Sequence, residues 1–119
     1  FIEYLSNLPN YLHFFDLILF TSEWEGFPLT IWEAMYNEVP IVSSDVGGIK
    51  EIFESENCGI VYPFADVNEC VNIISDLYFN REKLKELGKN GKRAIIEKYN
   101  EKNFRDFFVQ LYTEIINEK

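Results

Sequence analysis

Residues 25–35 read Glu-Gly-Phe-Pro-Leu-Thr-Ile-Trp-Glu-Ala-Met and lie between two short apolar runs, residues 17–21 and 40–43. Neither run alternates apolar and polar residues, which predicts strands buried on both faces of a parallel sheet. Pro28 fits the first position of a helix that runs to about Asn37, because a missing N–H costs nothing there. These features predict the strand–loop–helix–strand unit from which parallel α/β sheets are built.

The same alternation of strands and helices continues on both sides of this unit. Upstream, apolar residues at helical spacing predict a short amphipathic helix over residues 7–15. Downstream, we expect a short helix over residues 49–54, a third strand over 60–62, and then only helices. The first of these C-terminal helices begins at a capping box, Asp66 with Glu69. The second covers residues 81–98 and is weakened by its two glycines, which allow a break there. The last is capped around residues 100–103, and the default interpretation of its aromatic stripe is core packing.

Composition and charge exclude several classes of protein. The 119 residues include 11 Lys and Arg against 20 Asp and Glu, a net charge of −9, and 47% are apolar. This apolar content excludes intrinsic disorder, and the acidic balance argues against nucleic acid and against direct membrane binding through a basic patch. No apolar run approaches the roughly 20 residues that span a bilayer. We therefore expect one globular unit.

The possible metal ligands among the cysteines and histidines are few. Cys58 and Cys70 are eleven residues apart, and the lone histidine, His13, is remote from both. A zinc site needs about four such ligands, so we expect no metal site and two free thiols. His13 is expected to be a packed or surface histidine rather than a catalyst.

Two loops carry the residues that suit ligand chemistry. In open parallel sheets, ligands bind beyond the carboxyl ends of the strands, where loops lead into helix N-termini. The loop over residues 23–30 has Gly26 for close backbone approach and free N–H groups at the helix start, which suit a phosphate or a sugar hydroxyl. Glu25 and Glu33 can accept hydrogen bonds from vicinal diols. Either glutamate alone is also explained by the helix dipole, and the second loop, residues 45–48, also by a tight turn.

Residues 25–35 resemble the E-x7-E signature of retaining glycosyltransferases with the GT-B fold, particularly glycosyltransferase family 4. The similarity extends in order and spacing over residues 12–16, 40–49 with Glu51, 58–63 and 66–99. It implies an α/β, partial Rossmann-like GT-B C-terminal domain: a short parallel sheet flanked by helices, with a helical C-terminal region. Residues 1–119 would then be one unit, the later half of a nucleotide-sugar-binding domain, without the acceptor domain and the first donor-domain strands.

The resemblance also implies roles for single residues. Glu25 would be the catalytic residue and would bind the hydroxyls of the donor sugar, while Glu33 would accept hydrogen bonds from the ribose of the nucleotide. The remaining donor-binding residues would be Gly26, Phe27, Pro28, Leu29 and Thr30, with Gly48 facing them. Many members have glycine where this chain has Pro28, so one backbone donor is absent.

The implied reaction is sugar transfer from a nucleoside-diphosphate sugar with retention, without a required metal or other cofactor. The resemblance implies cell-envelope, capsular or other glycan synthesis by a cytoplasmic protein, with the parent enzyme peripheral at the inner face of the membrane. The family places an Arg and a Lys upstream of the signature, whereas residues 1–49 contain neither. We therefore expect the isolated chain to transfer no sugar. We also expect it to self-associate through the first strand's edge or the aromatic face of the last helix.

Other functions stay open on the sequence alone. A non-catalytic module that binds a nucleotide or a sugar phosphate would need the same two loops. A GT-B nucleotide-sugar epimerase relative is the alternative enzyme, although its usual catalytic carboxylates and histidine would lie mostly outside this chain. A flavodoxin-like regulatory domain is disfavoured, because it needs an acidic cluster and a lysine on a complete five-stranded sheet.

Overall fold

The computed structural model describes residues 7–26 and 28–117, which fold around a parallel sheet of three strands. The strands are β1 (Ile18–Phe20), β2 (Ile41–Ser44) and β3 (Gly59–Tyr62). The helices are α1 (Leu29–Tyr36), α2 (Ile49–Glu56), α3 (Val67–Phe79), α4 (Arg81–Glu97) and α5 (Glu101–Asn117). This order confirms the predicted α/β class, with helices around the sheet and a helical C-terminal region.

The sheet has the order β1-β2-β3, so β2 is its central strand. Ile18 pairs with Ile41, and Ser44 pairs with Tyr62. All four residues of β2 are buried, which confirms the prediction for this strand. The same prediction is wrong for β1, where Leu19 is 42% exposed, because no helix of the described residues fully covers that face of an outer strand.

Apolar side chains pack on both faces of the sheet. Successive residues of a strand point to opposite faces, and accordingly Ile41 and Val42 belong to two different clusters. The Ile41 cluster joins the sheet to α1 and α2 through residues such as Met35 and Phe53. The Val42 cluster joins it to α3 and α4 through Leu77 and Leu87. Because apolar side chains pack on both faces, the loops at the ends of the strands are the places where a ligand can bind.

Some predicted helix boundaries need correction. Residues 7–15 form two short 3-10 turns, Leu8–Asn10 and Leu12–Phe14, instead of one amphipathic helix. Only Leu12 in these turns is buried, so little packing favours a longer amphipathic helix. Pro28 is not the first helical residue but the extended N-cap residue before Leu29, with ψ 128°.

Side chains cap the N-termini of the last three helices. The Asp66 carboxylate accepts a hydrogen bond from the backbone N–H of Glu69 at 3.0 Å, which confirms this part of the predicted capping box at the start of α3. Asn80 caps α4 in the same way through the N–H of Lys83. Asn100 accepts from the N–H of Asn103 at 2.9 Å, as expected at the start of the last helix. Such short-range bonds depend on few residues, which makes them readable from sequence.

The break that its two glycines allow does not occur in α4. Gly88 and Gly91 are buried inside an unbroken helix. A Cβ atom at Gly88 would collide with the carbonyl oxygen of Glu38, and one at Gly91 would lie 3.3 Å from the Met35 side chain. The two glycines therefore allow α4 to approach α1 and the backbone after it, and this packing outweighs their low helix propensity.

We expect the two glycines of α4 to respond differently to alanine. Gly88→Ala should lower the free energy of unfolding by about 1–3 kcal/mol, because the backbone carbonyl of Glu38 cannot move aside as a side chain can. Gly91→Ala is the matched control and should stay within about 1 kcal/mol of the wild type, because Met35 can adjust and alanine favours the helix. Denaturant unfolding measures both, and equal losses would contradict this packing.

Helix α5 is exposed along its whole described length, with Phe104 at 68% and Phe107 at 60%. The default expectation that its aromatic stripe packs into the core is therefore wrong, whereas the exposed aromatic face on which the expected self-association depends is present. The rings contact one another instead, for example Phe104 and Phe108 with centroids 4.8 Å apart. The helix extends from a molecule measuring 56 × 32 × 29 Å, and no described element covers its aromatic face. Within residues 7–26 and 28–117, no helix is long and apolar enough to cross a membrane.

Candidate functional site

The loops that follow β1 and β2 meet beyond the carboxyl ends of these strands. Gly47 has φ +58°, and a Cβ atom placed on it would lie 2.5 Å from the carbonyl oxygen of Gly26 and 2.8 Å from that of Glu25. The backbones of the two loops are therefore in direct contact. The Ser44 hydroxyl also donates a hydrogen bond to the carbonyl oxygen of Ser22 at 2.6 Å. The structure thus joins the two loops that the sequence singled out.

Glu25 is held within its own loop. Its side chain is half-buried, and Oε1 accepts a hydrogen bond from the Ser22 hydroxyl at 2.8 Å. No partner for Oε2 is found among residues 7–26 and 28–117. One carboxylate oxygen thus fixes the side chain, while the other keeps its capacity to accept a hydrogen bond from a ligand.

Glu33 lies in the second turn of α1. Its side chain is half-buried, and its carboxylate makes no hydrogen bond or ion pair within the described part of the chain. Its backbone carbonyl, by contrast, accepts from the Asn37 side chain at 2.8 Å. Half burial without a protein partner is suited to a carboxylate that receives ligand hydroxyls. That Glu25 and Glu33 line one cleft opposite Gly48 stays a prediction.

Two helices begin at this edge of the sheet. The N-cap residues are Pro28 for α1 and Gly48 for α2, and neither provides a side-chain hydrogen bond to its helix. The Ile31 N–H is bonded to the Pro28 carbonyl at 3.0 Å, and the preceding amides of Leu29 and Thr30 have no intrahelical acceptor. Such amides and the positive end of the helix dipole favour anions. Phe27 lies outside the described residues, so its assignment stays a prediction.

The sequence does not identify Tyr62 as a site residue, but its side chain links β3 to the carboxyl end of β1. Its hydroxyl on β3 donates to the Phe20 carbonyl at the end of β1, at 3.0 Å. Burial, and secondly the neighbouring Cys70, raise the pKa of Tyr62, so it remains a neutral hydrogen-bond donor. The signal available in the sequence was a lone tyrosine at the end of a buried strand, which is weak.

The thiols belong to the core rather than to the site. Cys58 and Cys70 are both free and buried. Burial, and to a lesser degree the negative charge of Glu56, raise the pKa of Cys58 to about 12, so its thiol is not ionised at neutral pH. Within the described residues, no group of three His, Cys, Asp or Glu side chains is placed to hold a metal ion.

The charge at this edge is predominantly negative. Glu23, Asp45 and Glu51 are exposed here, beside Glu25. A cation among the described residues of these loops is Lys50, whose Nζ lies 3.5 Å from an oxygen of Asp45. A phosphate bound here would therefore depend on helix amides and on very few positive side chains.

Solved structures that share this fold include glycosyltransferases of the GT-B class. HepE from Anabaena, solved in complex with UDP, superposes with a TM-score of 0.82 and 22% identity over 92% of this chain and 30% of its own. Sucrose-phosphate synthase from Thermosynechococcus elongatus gives a TM-score of 0.73 and 27% identity, covering 87% of this chain and 26% of its own.

Sequence comparison identifies the family. The model of "Glycosyl transferases group 1" matches residues 1–94, and the chain belongs to this family. Lipopolysaccharide core biosynthesis mannosyltransferase LpsB from Rhizobium meliloti is 33% identical over 88 residues, 72% of this chain and 25% of that protein. The chain spans between 20 and 30% of the length of the curated relatives it matches. These findings confirm the GT-B class and the glycosyltransferase resemblance at the level of group 1.

Proposed function

We propose that this chain is the later half of the nucleotide-sugar-binding domain of a retaining glycosyltransferase of family 4. The parent enzyme would transfer a sugar from a nucleoside diphosphate to an acceptor in envelope, capsular or other glycan synthesis. The observation that carries this proposal is the contact of Gly47 with the carbonyls of Glu25 and Gly26, which joins both loops beside two helix N-termini. Because the chain belongs to a glycosyltransferase family, we interpret this edge of the sheet as the binding site of the donor.

The donor would be held by three kinds of group. Glu33 has no protein partner among the described residues, so it can accept both hydroxyls of a ribose. Glu25 offers Oε2 to the donor sugar while Ser22 holds Oε1. The amides of Leu29 and Thr30 face the diphosphate at the start of α1, together with Gly26, Phe27 and Gly48. Pro28 contributes no N–H, so one backbone donor of the family pattern is missing.

Known relatives support a nucleotide sugar as the ligand. HepE, which shares the fold, has been solved with UDP and with UDP-glucose. LpsB is named as a mannosyltransferase of lipopolysaccharide core biosynthesis, which favours an envelope glycan as the product. We propose a cytoplasmic site of action, where nucleotide sugars are the donors, with the parent enzyme peripheral to the membrane. We assign no metal or cofactor to the site.

Binding of the nucleotide tests the role of Glu33. In the parent enzyme, Glu33→Ala should weaken binding of the preferred diphosphate among UDP, GDP and ADP by about 1–3 kcal/mol, the cost of removing one partner of a hydrogen bond. Titration calorimetry measures this loss directly. Glu54→Ala is the matched control, since Glu54 is an exposed glutamate on the eight-residue helix α2. Unchanged affinity in Glu33→Ala would exclude the ribose role.

A further inference from the structure

Positive charge is distributed unequally between the two edges of the sheet. Lys50 is the only Lys or Arg among the first 80 residues. Several later cations have their acidic partners near the amino ends of the strands: Arg81 with Asp16, Lys92 with Glu38, and Lys98 with Glu56. These three acids lie shortly before β1, β2 and β3, respectively. Because the strands are parallel, their amino ends share one edge, opposite to the candidate site.

Lys50 lies at the carboxyl edge instead. It is the second residue of α2, directly after the Gly47–Gly48 turn that contacts Glu25 and Gly26. Its Nζ is 3.5 Å from Asp45, the residue that follows β2 and whose N–H donates to the Tyr62 carbonyl. This contact places the ammonium group beside the residue that directly follows the central strand. Among the ion pairs of the described residues, it is the one that holds a cation in the loops of the candidate site.

The pair is suited to exchange its partner. The side chains of Lys50 and Asp45 are 48% and 42% exposed, and 3.5 Å is long for a charged hydrogen bond. Exposed ion pairs of this kind hold their charges weakly. A diphosphate carries more negative charge than one carboxylate and accepts several hydrogen bonds, so it competes well for the three donors of the ammonium group.

We propose that Lys50 is the cation of this chain that binds the diphosphate of the donor, and that Asp45 positions it in the ligand-free protein. This inference rests on the proposed function. It gives this chain a positive group for the diphosphate, although residues 1–49 contain no Lys or Arg. On departure of the sugar, the same ammonium would face the charge that develops on the leaving diphosphate.

Paired titrations with a nucleoside and its diphosphate test the role of Lys50. With the parent enzyme, we expect Lys50→Gln to weaken binding of the preferred diphosphate among UDP, GDP and ADP about tenfold or more, and to leave binding of the corresponding nucleoside within about twofold. Lys50→Arg should retain most of the affinity, because it keeps the charge. Lys85→Gln is the matched control, since Lys85 is also an exposed lysine in a long ion pair, with Glu82 at 3.8 Å.

The outcomes separate the two hypotheses. If the wild type binds none of the three diphosphates, the proposed function fails, and the role of Lys50 fails with it. If the wild type binds one and Lys50→Gln binds it equally well, the role of Lys50 alone is overturned. An equal loss for nucleoside and diphosphate would also overturn it, because a merely structural effect does not distinguish the phosphates. The role of Lys50 is supported if Lys50→Gln loses affinity only for the diphosphate, and if this remaining affinity depends less on salt than that of the wild type.

Discussion

Gly47→Ala is expected to lower the free energy of unfolding by about 2–5 kcal/mol and to weaken donor binding in the parent enzyme. Gly47 has φ +58°, a conformation that costs an L-residue about 1–2 kcal/mol. The added Cβ atom would lie 2.5 Å from the Gly26 carbonyl oxygen, and forcing such an atom into packed backbone costs about 1–3 kcal/mol more. The Glu25–Gly26 backbone would have to move, and Glu25 would move with it.

The adjacent glycine provides the control. Gly48 has φ −93°, and a Cβ atom there would meet only the Glu51 side chain, at 3.8 Å. We therefore expect Gly48→Ala to stay within about 0.5 kcal/mol of the wild type in stability. Denaturant unfolding of both variants measures the difference. Equal stability of the two would mean that the loops are not packed against each other at Gly47.

Glu25→Gln should reduce the rate of sugar transfer by the parent enzyme about 100-fold while leaving UDP, GDP or ADP affinity nearly unchanged. The nucleotide alone lacks the sugar that Glu25 is proposed to bind, so only steps that involve the sugar should respond. A charged hydrogen bond contributes about 1.5–3 kcal/mol, and the upper part of this range corresponds to about 100-fold in rate. Where positive charge develops on the sugar, a carboxylate stabilises it more than a neutral amide of the same shape does.

Steady-state kinetics with the cognate donor measure this loss, and the neighbouring glutamate provides the comparison. Glu23 is exposed in the same loop, so Glu23→Gln should retain most of the activity. Ser22→Ala should have an intermediate effect, because it removes the hydrogen bond that fixes Oε1 of Glu25. Full activity in Glu25→Gln would remove the catalytic assignment, and a parallel loss in Glu23→Gln would indicate a general effect of charge.

Features set by neighbouring residues in the chain could be predicted from sequence. The apolar run of β2 and the capping residues Asp66 and Asn100 depend on short segments, and the structure confirms them. Features set by tertiary packing could not. The burial of Gly88 depends on Glu38, fifty residues earlier in the chain, and the exposure of Leu19 depends on which strand or helix lies beside β1. Helix α5 carries an apolar stripe, but a stripe does not reveal what covers it.

The candidate site was predictable to a similar extent. The rule that ligands bind beyond the carboxyl ends of parallel strands selected two loops, and the structure shows that these loops are in contact. The contact of Gly47 with Gly26 and the pairing of Lys50 with Asp45 needed coordinates, because both depend on backbone conformation. The assignments of Glu25 and Glu33 stay predictions. So do the inactivity of the isolated chain and its self-association, although the exposed β1 residue Leu19 and the aromatic face of α5 are consistent with self-association.

A crystal structure of the parent enzyme with its nucleoside diphosphate tests the central claim most directly. We predict the ribose hydroxyls within about 3.2 Å of the Glu33 carboxylate, and the diphosphate at the amides of Leu29 and Thr30 with Lys50 turned from Asp45 towards it. A nucleotide bound at the opposite edge would contradict the account, for example in the cavity of about 540 Å³ between Leu17, Tyr78 and Arg81.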